Sequence, residues 1–406
     1  MALNTRVPVY RDPQFRKLWL VGMLVSLIRW LEILAYAVFT YDQTQSALWV
    51  ASLMTLRMLP LALFGLALGA LAARVSRRRV LLLTHAALLA ISLVLLLLSA
   101  FGTIEVWHLA LASALHGTVW ACDMPMRRAL MGDIAGPGRV AQAMSLDAVT
   151  SNACRLVGPA LGGFLIAHGG LTAVFAVIAL IFVPVLVALA RLVEPRVEPA
   201  DHKLSLGAML TGGFQAARES PLLLAALWLT ILFNLFAWPI LSMVPVIGRE
   251  QLQLDPQGVG LLASLDGIGA LLGALLLSTV ASRLRHGPVY LGAVVGFLLL
   301  QMLLAWSTLA WVAGMTLFAL GVVQAGFAVM QTTLVYTATP VARRAEAMGL
   351  MTMCIGASPL GFLAVGALAE RLGAPMATLV CGICGLVGVA LTWPLCRACL
   401  REPAAA

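Results

Sequence analysis

Along the 406 residues, apolar stretches of helix-spanning length alternate with short polar breaks, and this happens twelve times. The stretches cover 18–40, 47–71, 80–101, 107–131, 139–167, 171–191, 221–247, 257–280, 288–306, 310–336, 344–371 and 374–396. A helix needs roughly 20 apolar residues to cross a bilayer. Backbone exposed to lipid must satisfy its own hydrogen bonds, which a helix does. The pattern therefore predicts an all-α polytopic membrane protein with twelve transmembrane helices. Most breaks are only a few residues long. The exception, Leu192 to Ser220, holds Pro195, Pro199, Asp201, His202 and Lys203 and falls at the midpoint. It reads as a linker between two halves.

Those halves repeat one another. At a fixed offset of 204 positions, Arg139, Ala141, Ala143, Met144 and Leu146 fall on Arg343, Ala345, Ala347, Met348 and Leu350. Ala160, Gly162 and Gly169 fall on Ala364, Gly366 and Gly373, and Gly69, Ala70 and Arg79 on Gly273, Ala274 and Arg283. One offset at three separated places divides the chain into a six-helix bundle over 1–191, a linker over 192–220 and a second bundle over 221–406. The copies differ at one point. Arg155 and Pro159 have no arginine or proline counterpart in the second half, which marks them as specialised.

Composition agrees with the pattern. The chain is 62% hydrophobic and 11% charged, with a mean hydropathy of +0.99. A soluble domain carries roughly 25% charged residues, so a water-covered globule is excluded. The net charge of +9 is then a matter of membrane orientation and not of nucleic-acid binding. Of the 26 lysines and arginines, only Arg249 and Arg371 fall on one set of faces, and Arg29, Arg57 and Arg155 lie inside spans. The others share the opposite faces, with both termini and the linker. Positive loops stay inside, so termini and linker are expected to be cytoplasmic. The first span is too long for a signal-peptide core and no small-residue cleavage site follows it, so it is expected to be retained.

The stretch GALAARVSRRR at 69–79 resembles the loop motif GxLaDrxGrrr of the major facilitator superfamily, with Ala73 and Ser76 in place of the aspartate and second glycine. GPALGG at 158–163 is similar to the end of the antiporter motif of that superfamily's proton-coupled exporters, although Cys154 replaces an earlier motif glycine. MPMRRA at 124–129, the run from Leu146 to Gly163, Thr339-Pro340 and the run from Gly361 to Gly373 resemble the bacterial subgroup that includes the enterobactin exporter and related efflux permeases. The resemblance implies a fold of two six-helix pseudo-repeats around a central cavity, and alternating access. It also implies gating roles for Gly69, Arg74, Arg77, Arg78 and Arg79, and for Gly158, Pro159, Gly162 and Gly163. In that superfamily the usual aspartate helps latch the cytoplasmic gate, and Ala73 stands in its place here. Gly158, Gly162 and Gly163 have the small-residue spacing that lets helices approach closely, and Pro159 frees a carbonyl and lets its helix bend.

Charges inside spans carry the chemistry. Each costs roughly 2.5–3.5 kcal/mol at the bilayer centre on insertion scales. At ~1.5 Å per residue, Arg29, Glu32, Arg57, Arg155 and Asp266 land near mid-membrane, with Asn234, Gln301 and Gln324. Asp123 and Asp147 are shallower. These groups avoid spans 3, 6 and 12, which stand outside the cavity in the resembled fold. Arg29 and Glu32, three apart, share a face and are placed to pair. Arg57 and Arg155 add two further cations, which predicts a hydrated cavity with an electropositive wall in the first half. Arg29, Glu32, Arg57, Arg155, Asn234, Gln301 and Gln324 are the expected substrate contacts. The expected proton carriers are Asp266, which has no cation near it in sequence, then Glu32, Asp123 and Asp147. The two shallow aspartates also have the simpler role of neutralising Arg127 or Arg128.

Other features exclude functions. Cys381, Cys384, Cys396 and Cys399 spell two CxxC pairs, but they lie in and at the end of an apolar run, where cysteine behaves as a small apolar residue; no metal site or cofactor is expected. The histidines His85, His108, His116, His168, His202 and His286 show no ligand spacing and are read as packing or loop-end residues. There is no phosphate loop of the GxxxxGK[ST] form, and no nucleophile–base constellation marks an enzyme. The expected partners are a small-molecule substrate, protons and lipid, for a monomer in a bacterial inner membrane. The leading reading is proton-driven export of a siderophore or drug-like compound, with an anionic or polar-aromatic substrate favoured. Uptake by the same fold, or a non-transporting membrane sensor, are the alternatives.

Overall fold

The computed structural model describes residues 8–72, 76–136, 138–194, 206–280, 284–340 and 343–401. Within them the chain is helical and forms no strand. Helix α1 (Pro13–Thr44) starts where the Asp12 carboxylate accepts from the Gln14 and Phe15 amides at 2.9 and 3.4 Å, and stops at the left-handed Gln45. It is followed by α2 (Ala47–Ala72), α3 (Arg77–Ala100), α4 (Val106–Ala135) and α5 (Val140–Ala190). At ~1.5 Å per residue the 51 residues of α5 would reach about 75 Å, more than twice the ~30 Å hydrocarbon core. The helix breaks at Gly170, whose φ of 60° suits a residue without a Cβ. The two spans expected at 139–167 and 171–191 are its two arms. Gly373, with φ of 81°, makes the corresponding break in the second half.

That half runs through α6 (Leu206–Glu219), α7 (Pro221–Leu232), α8 (Val244–Glu250), α9 (Pro256–Val280), α10 (His286–Ala305), α11 (Ala310–Thr337), α12 (Arg344–Ile355), α13 (Ser358–Leu372) and α14 (Ala374–Leu391). Two expected spans are not single helices. Between α7 and α8 the backbone passes through a π turn at Phe233–Ala237 and a 3-10 turn at Trp238–Met243, where Pro239 removes a helical donor. The freed carbonyls lie against Gly361, where an added Cβ would meet Leu235 O at 2.6 Å. The span expected at 344–371 divides into α12 and α13, with Pro359 near the start of α13. Pro359 is the repeat counterpart of Arg155. The linker region is not all irregular, since α6 packs on α12 and Glu219 pairs with Arg343 at 2.9 Å.

Ten helical segments among the described residues are long and apolar enough to cross a membrane, counting α5 once. Helix α4 has the length, but His116, Asp123, Arg127, Arg128 and Asp133 lower its apolar density. The chain is thus a multi-pass membrane protein. Its side chains form one core from residues 9–192 and another from 216–399 that also takes in the ends of α1 and α2. The first holds α1 against α5, α2 against α4 and α3 against α5; the second holds α9 and α10 against α11, and α10 against α14.

The two bodies meet along α5–α9 and α2–α13. At the first crossing an added Cβ on Gly163 would lie 2.4 Å from Pro256 O, and one on Gly260 would lie 2.5 Å from Pro159 O. The backbones touch because neither side chain exists. Polar contacts at the arginine-poor end reinforce the join: Arg249 pairs with Asp42 at 2.8 Å, and Glu370 accepts from the Ser46 hydroxyl at 2.8 Å and the Leu48 amide at 3.2 Å. Gly158 and Gly162 face α1 instead, where a Cβ on Gly158 would meet Trp30 Cβ at 2.6 Å. We expect Gly163→Val to destabilise the packed bodies by about 1–3 kcal/mol, the range for overpacking. Gly132→Ala, with nothing within 4 Å of the new carbon, is expected to leave the unfolding midpoint in detergent within a degree or so of the parent, roughly the scale of a neutral surface change.

Candidate functional site

Among the described residues, two clusters of buried charges lie inside the helices, one between the bodies and one within the first. Between the bodies, Arg155 of α5 pairs with Asp266 of α9 and donates to the Gln324 side-chain oxygen of α11. Both charged side chains are over nine-tenths buried. The Arg155 guanidinium lies 5.2 Å from the Trp30 ring centroid and 5.7 Å from that of Trp238, so one aromatic wall comes from each half. Cation–π contact of this kind contributes most when desolvated. The close approach that permits the pair is again a glycine's: a Cβ on Gly267 would lie 2.6 Å from the Leu156 amide nitrogen. A cavity of about 50 Å³ opens beside it, lined by Trp30, Leu34, Arg155, Pro159, Pro245 and Asp266.

Within the first body, Glu32 of α1 is wholly buried and has two partners. Arg57 of α2 donates to its Oε2 at 3.0 Å, and His116 Nε2 of α4 lies 3.0 Å from its Oε1. Asp123 of α4 accepts from Arg127 Nε at 3.3 Å, and its other oxygen lies 3.6 Å from His85 Nε2 of α3. Asp147 of α5 accepts from Arg127 at 2.6 Å and from Arg128 at 3.4 Å. A second cavity, about 30 Å³, lies between the two histidine–carboxylate pairs.

Several sequence expectations change here. Arg29 does not pair with Glu32: it donates to the Ser26 hydroxyl at 3.2 Å and lies 5.3 Å from the Trp120 ring centroid. The electropositive wall is not built, because Arg57 and Arg155 each face a carboxylate and lie in different sites. Asp266, which has no cationic neighbour along the chain, has one across the interface. Gln301 is turned into the second body, donating to Phe236 O at 3.0 Å, and Asn234 donates to Thr230 O at 2.9 Å in its own helix. Neither lines the cavity between the bodies. His85 and His116 are not mere packing residues. The spacing 116, 120, 123, 127, one face of a helix, was the signal that connected His116, Trp120, Asp123 and Arg127.

The basic loop is placed as a clamp within the first body. Arg77 pairs with Asp133, Arg78 donates to Leu189 O at 3.0 Å and to Ala190 O, and the Arg79 amide bonds to the capping hydroxyl of Ser76. That hydroxyl donates to Glu194 at 2.6 Å. Gly69 lies in α2; Ala73 and Arg74 fall outside the described residues.

A multi-helix bundle of two bodies, with a desolvated ion pair between them beside a cavity, is the build of a membrane transporter and not of an enzyme. The chain belongs to the major facilitator superfamily, matching over residues 5–403 the family described as transmembrane secretion effector. It is 29% identical to the uncharacterized MFS-type transporter YfiS of Bacillus subtilis over 95% of this chain and 93% of that protein. It is 28% identical to the enterobactin exporter EntS of Shigella flexneri over 57% of this chain and 55% of that one, and 24% identical to macrolide efflux protein A of Streptococcus pyogenes over 65% and 66%. Its fold is similar to that of a POT family transporter solved with 5-aminolevulinic acid, with a TM-score of 0.75 at 13% identity over 95% of this chain and 96% of that one.

The pairing predicts unequal costs for two arginines. Arg57→Gln leaves the buried Glu32 carboxylate without its arginine, with only His116 against it, and is expected to cost about 3–5 kcal/mol, the range for breaking a buried pair from one side. Arg29→Gln removes no carboxylate's partner and is expected to cost about 1 kcal/mol, that of a hydrogen bond. Unfolding of both purified variants in detergent checks the order.

Proposed function

We propose that the protein is a secondary active exporter that moves a small organic molecule out across a bacterial inner membrane in exchange for protons. The observation that carries this reading is the Arg155–Asp266 pair, because it joins the two bodies at the wall of the cavity between them. About 50 Å³ holds one or two waters, whereas organic ligands occupy pockets of roughly 300–1,000 Å³. Binding therefore requires the bodies to part along α5–α9, which separates Arg155 from Asp266. Two buried charges parted without new partners are costly. A substrate presenting an acceptor to Arg155 and a donor to Asp266 answers both at once.

The same geometry supports exchange. Substrate donors need Asp266 ionised, and a proton on Asp266 removes that acceptor, so proton and substrate compete for one carboxylate. Competition gives antiport; a plain anion would bind Arg155 together with the proton and give symport. Export by exchange thus favours a molecule carrying both donors and acceptors, with an apolar face for Trp30 and Trp238. The efflux relatives support this class of cargo, and Gln324 positions Arg155 from the second body.

In this reading twelve helices span the membrane, since α5 contributes two spans and α4 one. Residues 1–191 and 221–406 are the moving bodies and 192–220 the linker, with linker and termini in the cytoplasm. Arg249–Asp42 and the Glu370 contacts then close the outer side. Pro159 and Gly163 seal the join, with Gly158 and Gly162 packing the same helix on α1, while Arg77, Arg78 and Arg79 stiffen the inner end of the first body. The protein acts as a monomer.

Inside-out proteoliposomes with an acid interior are expected to accumulate a labelled macrolide or enterobactin, the compounds named for two relatives, and to stop when a protonophore is added. Asp266→Asn is expected to lower gradient-driven accumulation at least tenfold. Accumulation indifferent to the imposed gradient would overturn proton exchange, and full activity in Asp266→Asn would remove that carboxylate from the cycle.

A further inference from the structure

The first body contains two buried histidines that the exchange at Asp266 does not use. His116 Nδ1 lies 2.8 Å from Ala112 O, and His85 Nδ1 lies 2.7 Å from Leu81 O. A carbonyl oxygen only accepts, so each Nδ1 carries its hydrogen. In a neutral ring Nε2 is then a bare lone pair. Yet His116 Nε2 faces Glu32 Oε1 at 3.0 Å, and neither atom has a hydrogen-bond partner elsewhere among the described residues. Two acceptors held at that distance repel, and the side chains are 3% and 1% exposed, so bulk water does not intervene. An ionised carboxylate against a neutral imidazole is the one arrangement this geometry disfavours. A single proton on either atom removes the conflict.

We propose that Glu32 and His116 together hold one exchangeable proton, which makes His116 a proton-carrying residue of the transport cycle. This rests on the proton-coupled reading above but uses a site separate from Arg155–Asp266. Every helix packed around the pair brings a group that bears on it. Helix α1 supplies Arg29 and Tyr36, α2 supplies Arg57, α3 supplies His85, α4 supplies Asp123 and the second arm of α5 supplies the apolar Phe182. Arg57 holds the other oxygen of Glu32 at 3.0 Å and fixes the carboxylate toward His116. The cavity of about 30 Å³, bounded by Glu32, His116, His85 and Asp123, has room and polar partners for one or two waters. A proton leaving the pair moves through that water to the His85–Asp123 pair. From there Arg127 and Asp147 continue the polar chain toward the arginine-rich end. Proton transfer here makes and breaks only N–H and O–H bonds, with no change of oxidation state.

Proton uptake by the full-length protein tests this without a substrate. The purified protein, in detergent and weak buffer with a pH-indicating dye, is stepped from alkaline to mildly acid solution, and protons bound per chain are counted. His116→Gln keeps an amide donor toward Glu32 and so preserves a structural hydrogen bond; Glu32→Gln keeps an acceptor for Arg57. Each variant is expected to bind one proton fewer than the parent, and the double variant also one fewer, because the proton is shared. Wild-type uptake in His116→Gln, or a loss of two in the double variant, would overturn the proposal. Asp266→Asn separates this from the exchange reading. If its uptake falls while that of His116→Gln does not, the histidine pair is refuted and Asp266 stands; a further single loss when His116→Gln is added to it upholds the pair.

Discussion

A charge in an apolar slab has to be answered by a partner within reach, and the structure is organised by how each buried charge is answered. Burying a lone ion costs several kcal/mol, and an opposite charge with good hydrogen bonds offsets that cost. Arg57 and His116 answer Glu32, Arg127 answers Asp123 and Asp147, and Arg155 answers Asp266. The first three carboxylates find their partners inside one body. Of these buried pairs among the described residues, only the last lies across the division, which is why the proposed exchange is placed there.

Glycine decides where that tie can exist. The missing side chains at Gly163, Gly260 and Gly267 bring the α5 and α9 backbones into contact, and this places a guanidinium and a carboxylate from different halves at bonding distance. The same helix pair therefore supplies both the packing and the ion pair at the join. The internal network of the first body has a different character, since all its members lie within that body.

The fold was largely legible in the chain. The apolar runs anticipated an all-helical chain of many membrane spans, because lipid imposes the same length and polarity on each span. The depth argument also found the buried ions Glu32, Arg57, Arg155 and Asp266. Their partners were not legible. Proximity in sequence suggested Arg29 for Glu32 and none for Asp266, while the actual partners come from other helices. Gln301 and Asn234 are buried as expected, but position along a helix does not say which way a side chain faces. His116 escaped notice because a histidine amid apolar residues has no distinctive spacing until Asp123 and Arg127 are read on the same face.

Sequence by itself determined that the chain is helical and crosses the membrane many times, and that the first half carries an arginine and a proline its copy lacks. Those properties follow from local composition and from the period of one helix. Only the tertiary structure decided which charges meet, that Pro359 starts a new helix where the other half has Arg155, and that one deeply buried ion pair among the described residues joins the two bodies. Helix rotation and crossing fix those outcomes, and both depend on side chains far apart in the chain.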